Sequence, residues 1–148
     1  MAYQAKRRKR FEEEFELVKG DGTVEHTLHV ALDADDMIGK IYRQYANLTK
    51  ALYETQEISR KAKEKEVEAE CLEKLGQAVV TLFESVFGAE DTGIIVDFYD
   101  GRYVEMCREV VPFIGQVVLP RIGEIKKENQ KAALQSYNRR QRRAMFRK

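Results

Sequence analysis

The sequence predicts a mainly α fold: a three-helix-type bundle with an N-terminal β-hairpin and a polar C-terminal helix or tail. Three observations carry this. An alternating apolar pattern is broken by a glycine-rich turn. Three apolar stripes then follow at helical spacing. The charge is divided, with basic ends around an acidic middle. The expected division is a basic arm over 1–10, one helical domain with its hairpin over 11–127, and a basic tail over 128–148.

The hairpin spans Phe11 to Leu32. Phe11, Phe15 and Leu17 alternate, with Glu13 interrupting, and Glu12, Glu14 and Glu16 take the other face. Val24, His26, Leu28, Val30 and Leu32 continue the period of two on the return strand. Lys19-Gly20-Asp21-Gly22-Thr23 between them holds residues that accept positive φ, the mark of a tight turn. A two-stranded hairpin is marginal alone and must pack on something.

Asp33 is a good N-cap, with Asp35 and Asp36 near the positive end of the helix dipole. Ile38, Ile41, Tyr45, Leu48 and Leu52 form the first stripe. The second is Leu72, Leu75, Val79, Leu82 and Val86; the third is Val104, Cys107, Val111, Ile114 and Val118. Two heptads each are too few for an extended coiled coil and suit a compact bundle. Tyr53 to Cys71 is polar, without Gly or Pro, so the first helix is expected either to run on into solvent or to bend into the second. Gly88 is a natural stop, with Asp91 or Thr92 starting the next segment. Ile95, Phe98 and Tyr99 favour a short helix over Gly93–Tyr99, and Asp100-Gly101 breaks it. Pro112 either kinks the third helix or opens a new one. Pro120 and Gly123 are expected to break it again, leaving Glu124–Lys148 as a frayed helix or disorder.

The two end decapeptides hold eleven of the 26 basic residues and none of the 25 acidic ones. The chain between them therefore carries a net charge near −10, which the overall +1 conceals. No apolar segment follows the basic start, so no signal peptide is expected. The longest uncharged apolar run, Val110–Pro120, is shorter than the ~20 residues of a membrane span. Cys71 and Cys107 read as buried free thiols. They and the pair His26 and His29 are too few for a metal site.

No motif for catalysis or for a cofactor is visible, and the chain reads as non-enzymatic. Gly20-Asp21-Gly22 lacks the Lys-Ser/Thr pair and the following helix of a phosphate loop. The acid pairs sit at a cap and on a strand's outer face, and no serine has a nucleophile-elbow context. Arg139, Arg140, Arg142 and Arg143 leave three readings open: contact with nucleic acid, contact with an acidic protein surface such as a neighbouring copy, or a solubilising end. Tyr42, Tyr53, Phe98, Tyr99 and Tyr103 lie on or near the stripe edges and are candidate interface anchors.

An acidic helical body of this length after an N-terminal hairpin resembles the tail assembly chaperones of long-tailed, siphovirus-type bacteriophages and prophages. The residues that carry the likeness are the hairpin Phe11 to Leu32 leading into Asp35-Asp36-Met37-Ile38, and Asp100-Gly101-Arg102-Tyr103-Val104-Glu105-Met106-Cys107 followed by Val111-Pro112-Phe113-Ile114. It covers roughly Phe11 to Lys127; the family pattern does not require the basic end Arg139 to Lys148, whose role stays open. The resemblance implies a protein that coats the tape measure protein in the host cytoplasm until the tail tube protein displaces it. It also implies self-association and absence from the mature virion. Many such proteins are made in two lengths, and the chain ending at Lys148 would be the shorter. The alternatives are a small nucleic-acid-binding protein using the basic termini, or a structural tail or connector protein.

Overall fold

The computed structural model describes residues 2–5, 7–61 and 65–146, and their side chains except those of 56–71, 136 and 140–146. Strands β1 (Phe11–Val18) and β2 (Val24–Leu32) form an antiparallel hairpin. Helices α1 (Ala34–Lys61), α2 (Lys65–Phe87), α3 (Ala89–Phe98), α4 (Tyr103–Glu109) and a single turn α5 (Val111–Phe113) follow. A π-helical turn (Ile114–Val118) then leads into α6 (Leu119–Phe146). The fold is mainly helical with an N-terminal hairpin, as the sequence predicts.

The hairpin closes through local chemistry. Lys19 N–H donates to Thr23 O at 2.8 Å, Gly22 N–H to Lys19 O at 2.9 Å, and Thr23 N–H to Asp21 Oδ1 at 2.9 Å. Hydrogen bonding from Thr23, its backbone N–H first, holds the Asp21 carboxyl below its ordinary pKa. Phe11 pairs with Leu32 and Phe15 with Leu28, and the register slips between Leu17 and Val18. Leu28, Val30 and Leu32 are buried, but Val24 and His26 are exposed, contrary to the alternation. Near the tip the contact with the body passes to β1: Leu17, opposite His26, is buried, and Val18 to Gly20 border Phe98 and Tyr99.

Asp33 caps α1 as expected: its Oδ1 accepts from the N–H groups of Asp35 and Asp36 at 3.0 and 3.2 Å. Ile41 and Leu48 are fully buried, with Ile38, Tyr45 and Leu52 half-buried beside them. Helices α1 and α2 pair along their lengths, the Ser85 hydroxyl donating to Gln44 Oε1. Helix α2 is the hub, touching α1, α3, α4 and β2. Leu75, Val79, Leu82, Phe83, Val86 and Phe87 on it are all buried. At its C-terminal end Phe87 and Phe113 receive Phe15 from the hairpin, with ring centroids 5.4 and 4.8 Å away. The hairpin thereby finds the support that two strands need.

Gly88 ends α2, as read from the sequence, and also precedes α3 directly, so α3 starts before Asp91. Its φ of 86° is one that glycine adopts without a Cβ penalty. Helix α3 closes with a Schellman arrangement: Gly101 N–H donates to Val96 O and Asp100 N–H to Asp97 O. Asp100, at φ 53°, takes the left-handed position usually held by glycine.

The third stripe needs correction. Val104 is 47% exposed and Cys107 only half-buried, whereas Met106 and Val110 are fully buried. The buried ladder is Met106, Val110, Ile114, Val118 and Ile122, spaced by fours. In a straight α-helix each four-residue step drifts about 40°, which would carry Ile122 to the far side. The break at Val110–Pro112 and the π turn absorb that drift. The same turn accommodates Pro120, where no break occurs. Leu119 N–H reaches back five residues to Ile114 O, and this wider winding makes room where a proline ring clashes with the carbonyl four residues before it.

Nor does α6 fray at Gly123 or Glu124. Its first turns bury Ile122 and Ile125, and Asn129 donates to the Lys9 carbonyl at 3.1 Å. The helix crosses position 127 unbroken and reaches Phe146. Tertiary contacts on the first third outweigh the polar composition of the rest.

Candidate functional site: an apolar groove between α2 and α4

Helix α4 lies against the N-terminal half of α2 at close range, because Gly76 presents no side chain. A Cβ placed there would stand 2.6 Å from Tyr103 Cε2. Tyr103 therefore lies flat on α2, its ring half-buried. Leu72 and Val104, 45% and 47% exposed, flank it as the apolar part of an open groove of about 800 Å³. Glu73, Glu105 and Glu109 with Arg102 and Arg108 give the rim both signs of charge, and Arg102 approaches Glu105 at 4.0 Å.

A smaller depression of about 340 Å³ adjoins it. It is lined by Val18, Lys19 and Gly20 of the hairpin tip together with Phe98, Tyr99 and Asp100. Arg102, Glu105 and Glu109 border both depressions, making one continuous surface. Phe98 and Tyr99 meet edge to face, centroids 4.9 Å apart at 89°. Burial pushes the Tyr99 phenol up from its usual pKa, and Glu109 and Glu105 push it the same way. The phenol is thus held as a neutral hydrogen-bonding group. Cys107 is a free thiol, raised to about 11 by burial. As a thiol rather than a thiolate it is a poor nucleophile.

Of the aromatic residues singled out in the sequence, Tyr103, Phe98 and Tyr99 come together on this surface. Tyr42 and Tyr53 do not line it. They stand on α1, 52% and 64% exposed, three turns apart on one side of the helix. Arg139 is exposed on α6; Arg140, Arg142 and Arg143 lie on the same helix, their side chains outside the described residues, as is that of Cys71. The sequence reading missed Leu72 and Val104, which it assigned to stripes packed in the core. The available signal was a second ladder, Tyr103, Met106 and Val110, with the same three-and-four spacing as Val104, Cys107 and Val111.

The arrangement offers an apolar strip between charged rims, suited to the apolar face of a helix. Among the described residues no group of three or more His, Cys, Asp or Glu is placed to hold a metal ion. No helix among them is long and apolar enough to cross a membrane. Comparisons with protein-family models, with curated proteins and with solved structures find no match to this chain.

Proposed function

We propose that this chain is a non-enzymatic assembly chaperone that seats an amphipathic helix of a client protein in the Leu72–Tyr103–Val104 groove. The observation that carries the reading is the exposure of two large aliphatic side chains beside an aromatic ring on an otherwise charged surface. Covering Leu72 and Val104 would remove apolar area worth about 1–2 kcal/mol each from water. Contacts of that size are individually weak and reversible. They become effective when many copies line one long client. The likeness to phage tail assembly chaperones supplies the client class: the tape measure protein, released when the tail tube protein takes its place. On this reading the chain self-associates in the host cytoplasm and is absent from finished particles.

Co-expression with a tape measure protein tests this directly. The expected result is a soluble complex that co-purifies, and its loss with L72D/V104D. A tape measure protein that stays equally insoluble with and without the wild-type chain would defeat the proposal. Recovery of the chain from purified particles would assign it to the tail structure instead.

A further inference from the structure

The two basic segments are separated by almost the whole sequence, yet the fold seats the N-terminal arm on α6 at Glu128 and Asn129, about ten residues, or ~15 Å along the helix, before its arginines. The N-terminal arm crosses α6 beside the start of α1. Lys9 Nζ reaches Glu128 at 3.1 Å, Asn129 donates to the Lys9 carbonyl, and Arg8 pairs with Asp35 at 2.8 Å. Arg8 also lines a depression with Asp35, Lys126, Asn129, Gln130 and Ala133. These contacts use the Asp35 and Glu128 carboxylates and leave Arg7 and Arg10 exposed.

Beyond this crossing α6 carries no acidic residue. Every described side chain from Lys131 onward is exposed. At 1.5 Å per residue, positions 130–146 extend for about 24 Å. Following the body-facing ladder of Ile122, Ile125 and Asn129 in steps of three and four leads through Ala132 and Ser136 to Arg140 and Arg143. The side of α6 that meets the arm is thus the side on which the arginine positions begin.

We infer that the N-terminal arm and the projecting half of α6 form one bipartite surface that binds the phosphate backbone of nucleic acid. The distribution of arginines around the helix favours this partner over a flat acidic protein face. At about 100° per residue, positions 139, 140, 142 and 143 spread over about 160° of the helix circumference. A flat surface meets only one stripe of a helix. A nucleic-acid groove has phosphates on both walls, and a major groove ~12 Å wide admits a whole helix. The arm supplies the second contact from the side. This surface is remote from the apolar groove: Asp35 opens α1, whereas the Gln44–Ser85 contact places Leu72 about 22 residues further along it, some 33 Å away. It does not depend on the chaperone reading.

Fluorescence anisotropy with a labelled 30-base-pair DNA duplex and a 30-nucleotide RNA, using the full chain, tests the inference. Neutralising about four phosphates predicts binding that weakens roughly 100-fold between 50 and 200 mM salt. R139Q/R143Q and R7Q/R10Q should each lower the slope of log affinity against log salt by about 2, while L72D/V104D leaves it unchanged. Absence of binding to both probes at 50 mM salt overturns the inference. So does binding indifferent to either arginine pair. If the protein alone sediments as a salt-sensitive oligomer that is lost in R139Q/R143Q and in E12Q/E14Q/E16Q, with no nucleic acid bound, the surface belongs to a second copy of the chain.

Discussion

The two halves of α2 carry the same apolar stripe and meet different fates. Toward the C-terminus, Phe83 and Phe87 are enclosed by the hairpin and by Phe113. Toward the N-terminus, Leu72 lies on the same helix with nearly half its surface in water. The N-terminal half is the more charged, with Glu66, Glu68, Glu70, Glu73 and Lys74 against Glu84 alone after Gly76, and no hairpin folds over Leu72. The hairpin is a built-in cover for one half. On the other half the narrow helix α4 takes the hairpin's place beside α1, drawn in by Gly76 and leaving a groove beside it.

The largest test removes the covered end. Phe87→Ala should cost about 3–5 kcal/mol, the usual range for emptying an aromatic core site, read as a drop in the chemical-denaturation midpoint. A loss below 1 kcal/mol would mean the hairpin is not anchored there. Next comes the open end. Gly76→Ala sets a methyl against the Tyr103 ring and should cost about 1–3 kcal/mol, with a change in tyrosine fluorescence as the ring is displaced. An unchanged protein would show that α4 is loosely held.

Asp100→Gly should raise stability by about 1 kcal/mol by relieving a left-handed non-glycine residue. Thermal unfolding measures it, and no gain would show that the turn bordering the groove is unstrained. The smallest effect is the most discriminating. Leu72→Ser should shift stability by less than about 0.5 kcal/mol, as exposed positions do, while weakening capture of a client helix. A large loss of stability would return Leu72 to the core and erase the distinction between the two halves.

The parts of this fold written in local chemistry were legible in the sequence. The Gly-Asp-Gly turn, the Asp33 cap and the Gly88 stop each act over four or five residues, and each occurs where it was read. The phase of α4 was not legible. Tyr103-Met106-Val110 and Val104-Cys107-Val111 are equally good ladders, and only the neighbour across from them, Gly76, decides which turns inward. The continuity of α6 was hidden for a related reason. Pro120 reads as a breaker until a wider turn before it removes the clash, and that turn follows from a four-residue repeat extending back to Met106. Of the site, Tyr99 and Tyr103 were visible as aromatics near a stripe edge. Leu72 and Val104 were not, because periodicity tells which residues share a face but not whether anything covers it. The seating of the N-terminal arm on Glu128 and Asn129 of α6 is a long-range contact with no local signature.

The hairpin's anchoring also governs how the chain can be made. Phe15 leaves the ribosome early, but its partner Phe113 follows about 100 residues later, a wait of roughly 5–20 s at ordinary translation speeds. During that interval the nascent strands have no lid. The glutamates at 12, 13, 14 and 16, flanked by five cations, keep an unfinished edge from annealing to its neighbours on the same polysome.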